Sequence, residues 1–228
     1  MIHSFKLLTV ALTTALLAGA ASADITTFNS SVNPGWGVGN GQPNSGFVVN
    51  TNNGIETGLS SFYRFLGGTN NAITSNVYEF NRGASPTSGI DPTPVPALAA
   101  WNAQFHVNLG SRNFSTTLVQ IVIDWDPTAG VDAVTYNLSA ALGNNANLSI
   151  YQGSQNLGFA FWGHAFNPNA TGEYNISILT RDLSLNVLSS VDMVVQVVPL
   201  PPAAIAGCSA LACVAGVGLI RRRRAAAI

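Results

Sequence analysis

The amino-acid sequence predicts an all-β protein with the architecture of a β-sandwich, of either the jelly-roll or the immunoglobulin-like kind. Its second half contains short segments rich in β-branched and apolar residues, for example TTLVQIVIDW at 116–125. Turn-forming clusters such as DPTAG and FNPNATG separate these segments. No amphipathic helical run of ten or more residues occurs between Asp24 and Val198. Short strands at regular intervals with such turns are typical of a β-sandwich.

The expected strands fall into a less regular first half and a more regular second half of the chain. In the first half, loop compositions such as NPGWGVGNGQPNSG interrupt the pattern, and strands are expected at 46–50, 62–65, 75–80 and 105–109. In the second half, strands are expected at 116–125, 131–142, 147–152, 158–166, 173–180 and 187–197. Together they make up a single predicted body, residues 24–198.

The N-terminus has the three parts of a secretory signal peptide, which we assign to residues 1–23. Lys6 provides the positive charge, residues 7–20 form the apolar region, and Ala21, Ser22 and Ala23 form a small-residue cleavage site. A retained N-terminal anchor is the alternative, and the shortness of the apolar run argues against it. The sequence therefore predicts an exported protein whose mature chain begins at Asp24.

The charge of the predicted body excludes one large class of partner. Five of the nine basic residues lie outside the body, which keeps four arginines and all ten acidic residues, hence a net charge of −6. An acidic domain without lysine is a poor ligand for nucleic acid or anionic membranes. The two cysteines, Cys208 and Cys213, also lie outside the body, so no disulfide is expected in it.

The C-terminus combines a proline-rich strip, an apolar segment and a cluster of arginines. Residues 203–220 carry no charge and would form a helix about 27 Å long, close to the roughly 30 Å of a bilayer core. The positive-inside rule places the following arginines in the cytoplasm. The prolines before the helix favour an extended, accessible backbone. The residues of this predicted signal are Val198, Pro199, Leu200, Pro201, Arg221, Arg222, Arg223 and Arg224.

This three-part ending resembles the PEP-CTERM sorting signal of bacterial envelope proteins, in its VPLPA-type variant, where Leu200 replaces the usual glutamate. The resemblance implies recognition of residues 199–228 by an exosortase, a membrane-embedded cysteine protease-transpeptidase. It further implies that the tail is removed or exchanged, that the membrane helix holds the protein only before processing, and that the body is released or attached at the cell surface. The family is associated with exopolysaccharide and biofilm.

Part of the body resembles the same family. The segments DWDPTAGVD, QNLGFAFWG and FNPNATGEYNISIL are similar to the closing strands of PEP-CTERM β-domains, over about residues 124–198. The similarity concerns turns and strand cores, and it implies no catalytic residues.

Few residues of the body suggest chemistry. Asp124, Asp126 and Asp132 offer carboxylates of the type that calcium binds, but the loop lacks the rest of a calcium-loop motif, and a turn begun by Asp126 is favoured. His106 and His164 lack the spacing of a zinc site and are expected to lie half-buried in a sheet.

The tryptophans are the other candidates, because aromatic faces can stack on sugar rings. Trp125 and Trp162 lie in apolar runs and are expected in the core. Trp36 and Trp101 lie in or beside loops and are the better candidates for the surface, although packing is favoured for both.

The sequence thus favours an exported, non-catalytic protein of the envelope or extracellular matrix, with no cofactor or metal. A carbohydrate-binding module and a secreted hydrolase remain alternatives. An exposed tryptophan pair on one face would favour the first, and a cleft with two facing carboxylates would favour the second. The glutamates available for such a cleft are Glu56, Glu79 and Glu173.

Overall fold

The computed structural model of the chain describes residues 27–33, 44–65, 76–89, 91 and 93–200. Within these ranges nearly all of the regular secondary structure is β-strand, which confirms the predicted all-β class. The strands are β1 (Thr27–Ser30), β2 (Phe47–Asn52), β3 (Ile55–Tyr63), β4 (Val77–Asn81), β5 (Ala84–Pro86), β6 (Pro94–Ala99), β7 (Trp101–Asn108), β8 (Leu118–Asp124), β9 (Ala133–Asn137), β10 (Ile150–Gln155), β11 (Gly172–Arg181) and β12 (Val187–Val198). One short helix, α1 (Leu138–Ala141), and two 3-10 turns, Gly143–Asn145 and Ala160–Trp162, complete the described elements.

Ten of these strands form two five-stranded sheets that pack face to face. Sheet A has the strand order β1-β2-β3-β7-β10, and sheet B has the order β4-β12-β11-β8-β9, while β5 and β6 form a separate hairpin. Buried apolar side chains from both sheets belong to one continuous cluster, and β12 packs on β2 and β3 across the interface. The core therefore lies between the sheets.

The alternation of side chains along β7 shows why these residues form a central strand. Trp101, Ala103, Phe105 and Val107 belong to the core between the sheets. The residues between them point to the outer face of sheet A, as the two-residue period of a strand requires. Because β7 pairs with both β3 and β10, its backbone groups are satisfied on both sides.

Sheet B is mixed. β12 pairs antiparallel with β11 along almost its whole length, from Val187 to Val197, and pairs parallel with β4 from Val194 to Val198. Both sandwich types that the sequence left open are built from antiparallel sheets, so this parallel pair is a departure from them. It fixes the C-terminal end of β12 between two neighbouring strands.

Residues 131–142, predicted as one strand, form β9 followed by α1. The side-chain oxygen of Asn137 accepts a hydrogen bond from the backbone N–H of Ala140 at 2.9 Å and caps the helix. The sequence after it, LSAA, consists largely of good helix formers. The prediction of a continuous strand was therefore wrong because a local cap ends it at Asn137.

Residues 158–166, also predicted as a strand, form a loop around the 3-10 turn Ala160–Trp162. A side chain at Gly158 would overlap the carbonyl oxygen of Ala97, so the chain there runs against the backbone of β6. Gly163 ends the turn in the left-handed conformation, with φ of 72°. This prediction was wrong because the apolar run is bracketed by two glycines with backbone roles.

Strands β1, β5 and β6 were not predicted. β1 has four residues, and β5 and β6 contain prolines, which are tolerated only at edges and ends of sheets. The other predicted strands are present, with boundaries that shift by a few residues. The largest shift is at β3, which begins at Ile55 although a strand was expected only from Phe62.

Candidate functional site

The end of β12 is the part of the predicted sorting signal that the structure describes. Val198 is the last residue of the strand, and its carbonyl oxygen accepts a hydrogen bond from the backbone N–H of Arg82 at 2.8 Å. Pro199 and Leu200 follow outside any strand and are exposed. The regular structure of the described chain therefore ends at the residue where the predicted motif begins.

The remaining signal residues lie outside the described part of the chain. These are Ala21, Ala23, Pro201 and the four arginines Arg221, Arg222, Arg223 and Arg224, together with the predicted membrane helix at 203–220. Among the residues that the structure does describe, no helix has the length and apolar character needed to cross a membrane.

The aspartates of the β8–β9 loop stabilise a turn. One carboxylate oxygen of Asp124 accepts hydrogen bonds from the backbone N–H groups of Asp126 and Asp132, at 3.2 and 2.9 Å. Asp126 accepts from the hydroxyl and the backbone N–H of Thr128, at 2.7 and 2.9 Å, and these bonds lower the pKa of Asp126. The turn predicted at Asp126 is present. Within the described ranges, no group of three or more His, Cys, Asp or Glu residues is placed to hold a metal ion.

His106 is fully buried on the outer face of sheet A. Its Nε2 lies 2.8 Å from a carboxylate oxygen of Glu56 on the neighbouring strand β3, and its ring contacts the edge of Phe47. Burial lowers the pKa of His106, and the carboxylate of Glu56 opposes this shift. The prediction that His106 is half-buried was wrong. Strand β7 is central in sheet A, and the outer face of the sheet is covered where His106 lies.

His164 is half-buried in the loop after the 3-10 turn, not in a sheet as expected. Its ring stacks on Trp125 with 5.0 Å between the centroids, and its Nδ1 lies 3.9 Å from a carboxylate oxygen of Asp132. The two histidines therefore lie beside different sheets, and the structure does not bring them together.

The three glutamates are also separated. Glu56 pairs with His106 on sheet A, whereas Glu79 and Glu173 lie on sheet B. Both of these are register partners of Gln196, one on each side of β12. They therefore share one face of a sheet with a strand between them, and they do not face each other across a cleft.

Three of the four tryptophans are buried, and Trp36 lies outside the described residues. Trp125 and Trp162 belong to the core, as predicted. Trp101 is 2% exposed and packs against Phe80 and Tyr174, with centroid distances of 5.8 and 5.9 Å. The packed position favoured for Trp101 is therefore confirmed, and its alternative position at the surface is not found. The residues next to Trp101 in the sequence have the composition of a loop. In the structure Trp101 begins β7, which lies between β3 and β10.

An aromatic cleft, which the sequence analysis missed, lies at the side of the sandwich where the edge strands β9 and β10 meet. Its volume is about 280 Å³. Five aromatic, three aliphatic and two amide side chains surround it, and none of them carries a formal charge: Phe105, Ile121, Tyr136, Asn137, Leu138, Ala141, Tyr151, Gln155, Phe161 and Trp162. Strand β9, helix α1, strand β10 and the 3-10 turn Ala160–Trp162 supply most of this surface.

Asn156 fixes the turn that carries Phe161 and Trp162. Its buried side chain accepts from the backbone N–H groups of Ala99 and Gly158, and its NH₂ group donates to the carbonyl oxygens of Ala99 and Trp101. The indole N–H of Trp162 in turn donates to the carbonyl oxygen of Asn156 at 2.9 Å. These bonds hold the turn rigidly against strands that are more than fifty residues earlier in the chain.

The aromatic rings around the turn pack on one another. Trp162 lies 4.6 Å from Tyr136 and 4.8 Å from Phe161, measured between ring centroids. The hydroxyl of Tyr136 donates to the carbonyl oxygen of Trp162 at 3.0 Å. Phe161 is nevertheless 63% exposed. The sequence signal for this arrangement is GFAFWG, an aromatic run between two glycines.

Comparison with models of known protein families finds no match, and comparison with curated protein sequences finds no significant relative.

Proposed function

We propose that the chain is an exported, non-catalytic protein of the bacterial cell surface or extracellular matrix. In this proposal residues 1–23 direct export, residues 24–198 form the functional body, a sandwich of jelly-roll or immunoglobulin-like kind, and residues 199–228 form a sorting signal for an exosortase-like membrane enzyme. The protein is held in the inner membrane only before processing and then reaches the surface, where it associates with exopolysaccharide. The resemblance of the tail to PEP-CTERM signals is the starting point of this proposal.

The observation that carries the proposal is that the last described strand ends at Val198, and the two described residues after it lie outside any strand. Strand β12 is held on both sides up to Val197, by β4 and by β11, while Val198 pairs with β4 and its carbonyl oxygen accepts a hydrogen bond from the backbone N–H of Arg82. A protease must draw its substrate into a cleft as an extended strand, and strand residues in the centre of a sheet are not available for this. Pro199 is the first residue free of the sheet, and it is also the first proline of the motif.

A second Pro-x-Pro sequence in the body supports the same reasoning. Pro94, Val95 and Pro96 lie in β6, which is paired with β5. The two motifs have the same proline spacing, but the one in β6 is part of a hairpin, whereas Pro199, the first proline of the other, follows the last described strand. An enzyme that needs an accessible strip should therefore act only on the second.

The distance between the body and the membrane is also short in this proposal. Five residue steps separate Val198 from Ala203, the start of the predicted membrane helix, and they span at most about 18 Å when fully extended. The end of the sandwich that carries Val198 would therefore lie close to the bilayer surface. An enzyme embedded in the membrane could then reach the strip without unfolding the body.

The test is processing of proline variants in cells that contain the cognate enzyme. We expect the double variant Pro199→Ala with Pro201→Ala to accumulate as a precursor in the inner membrane, because the helix can then extend backwards into the strip. The matched control is Pro94→Ala with Pro96→Ala, which should be processed like the unchanged protein. Equal processing of both double variants would contradict the proposal.

A further inference from the structure

The aromatic cleft has the shape and the surroundings of a ligand site. It opens between the edge strands of the two sheets, where neither β9 nor β10 pairs with a further strand of the described chain. Its volume of about 280 Å³ is close to the lower end of the range for small-molecule sites. Such sites combine an apolar lining with a few polar groups that set orientation, and this cleft has both.

Phe161 is the feature that folding alone does not explain. The turn Ala160–Trp162 is held by Asn156 and ended by Gly163, so its backbone is fixed. On this rigid support the ring of Phe161 is 63% exposed beside the cleft, while the adjacent Trp162 is buried. An exposed aromatic ring on a backbone fixed in this way is a binding surface prepared in advance, since little backbone entropy is lost when a ligand covers it.

Polar groups at the cleft can form hydrogen bonds with a ligand. The hydroxyl of Tyr136 already has partners within the protein, since it donates to the carbonyl oxygen of Trp162 and lies within hydrogen-bonding reach of the Trp125 side chain. Asn137 uses its carbonyl oxygen to cap helix α1, and its NH₂ group is a donor at the rim. Gln155 supplies a second amide, and it lies next to the hydroxyl of Tyr151. A purely apolar ligand would remove water from the amide groups of Asn137 and Gln155 without replacing the hydrogen bonds that water makes to them.

The electrostatics of the cleft favour a neutral ligand. None of the ten described residues that line it carries a formal charge, and burial raises the pKa values of Tyr136 and Tyr151, so both phenols stay neutral. The body has a net charge of −6, which disfavours anions. A charged ligand would be desolvated in the cleft without a counter-charge.

From these features we infer that the aromatic cleft binds one neutral pyranose ring, with Phe161 as the stacking surface and Asn137 and Gln155 as hydrogen-bonding groups. A pyranose has an apolar C–H face and polar hydroxyl groups around its rim, which is the pattern that the cleft complements. An oligosaccharide would place one ring in the cleft and continue over the exposed face of Phe161. The inference does not depend on the sorting of the tail.

The test is binding of neutral trisaccharides to the full chain in a polyoxyethylene detergent, which has no sugar head group. Cellotriose, maltotriose and mannotriose are titrated by calorimetry and by tryptophan fluorescence, since Trp162 borders the cleft. We expect at least one of them to bind, and Phe161→Ala to weaken its binding by about tenfold, as loss of one aromatic contact predicts. Gln155→Leu should weaken it severalfold.

The matched control is Phe28→Ala. Phe28 is a similarly accessible ring, 42% exposed, on β1 at the opposite edge of sheet A, and its removal should leave sugar binding unchanged. Trigalacturonate, an anionic trisaccharide, should bind more weakly than the best neutral one. The inference is overturned if no neutral trisaccharide binds at up to about 10 mM, if Phe161→Ala binds as well as the unchanged protein, or if the anionic sugar binds equally well. None of these outcomes affects the processing test of the proline variants.

Discussion

Replacement of Asn156 by alanine should destabilise the body severely, although it removes only one small side chain. The buried amide of Asn156 serves the N–H and the carbonyl oxygen of Ala99 and the carbonyl oxygen of Trp101, each at 2.9 Å. Ala99 and Trp101 are themselves buried, so no water can replace the lost bonds. Each buried backbone group left without a partner costs about 1–3 kcal/mol. At the lower half of this range, the three together should lower the free energy of unfolding by about 3–6 kcal/mol, a large share of the roughly 5–15 kcal/mol of a typical domain.

Urea unfolding of residues 24–198, expressed without the two terminal segments and followed by tryptophan fluorescence, measures this loss. With a slope of about 2 kcal/mol per molar urea, the midpoint should fall by roughly 2 M. The control is Asn102→Ala, which removes a half-buried side chain that bonds to Ser154 and Asn156, and which should cost no more than about 1 kcal/mol. Equal midpoints for the two variants would refute the reasoning.

Two further predictions concern titratable groups. Burial holds the pKa of His106 below its ordinary value of 6.5, so the unfolded chain takes up a proton at a higher pH than the folded chain does. The contribution of the neutral, buried His106 to the free energy of unfolding is therefore complete above pH 6.5. It is lost as the pH falls from 6.5 towards the lowered pKa. His106→Gln should flatten this dependence of the unfolding midpoint on pH. A pH dependence unchanged in this variant would count against the assignment. Asp126→Ala should lower the melting temperature by the few degrees expected for about 1 kcal/mol, equally with and without calcium, because its carboxylate holds Thr128 in the turn. A calcium-dependent rise in melting temperature that this variant abolishes would show a metal site instead.

The features that the sequence predicts well are those set by neighbouring residues. The β11–β12 hairpin is one example, since Asp182 at its turn accepts hydrogen bonds from the backbone N–H groups of Ser184 and Asn186, and both flanking strands are rich in β-branched residues. The turn at Asp126 is another. In both cases a side chain satisfies backbone groups within four residues of itself.

The features that the sequence does not predict depend on contacts far along the chain. Residues 158–166 have the composition of a strand, but Asn156 bonds to Ala99, 57 residues earlier, and Gly158 lies against Ala97. These contacts override the local propensity and expose Phe161. The aromatic cleft combines residues from β9, α1, β10 and this turn, so no single stretch of sequence carries its signal.

The central claim, that this is an exported protein with a processed tail, is tested most directly by the mass of the mature protein. Intact-mass measurement of the surface protein is made in cells with the cognate exosortase and in cells without it. The account predicts a chain that begins at Asp24 and lacks the segment from Arg221 to Ile228 when the enzyme is present, and a precursor that retains this segment when the enzyme is absent. A surface protein that keeps its C-terminus through Ile228 in both strains would contradict the claim.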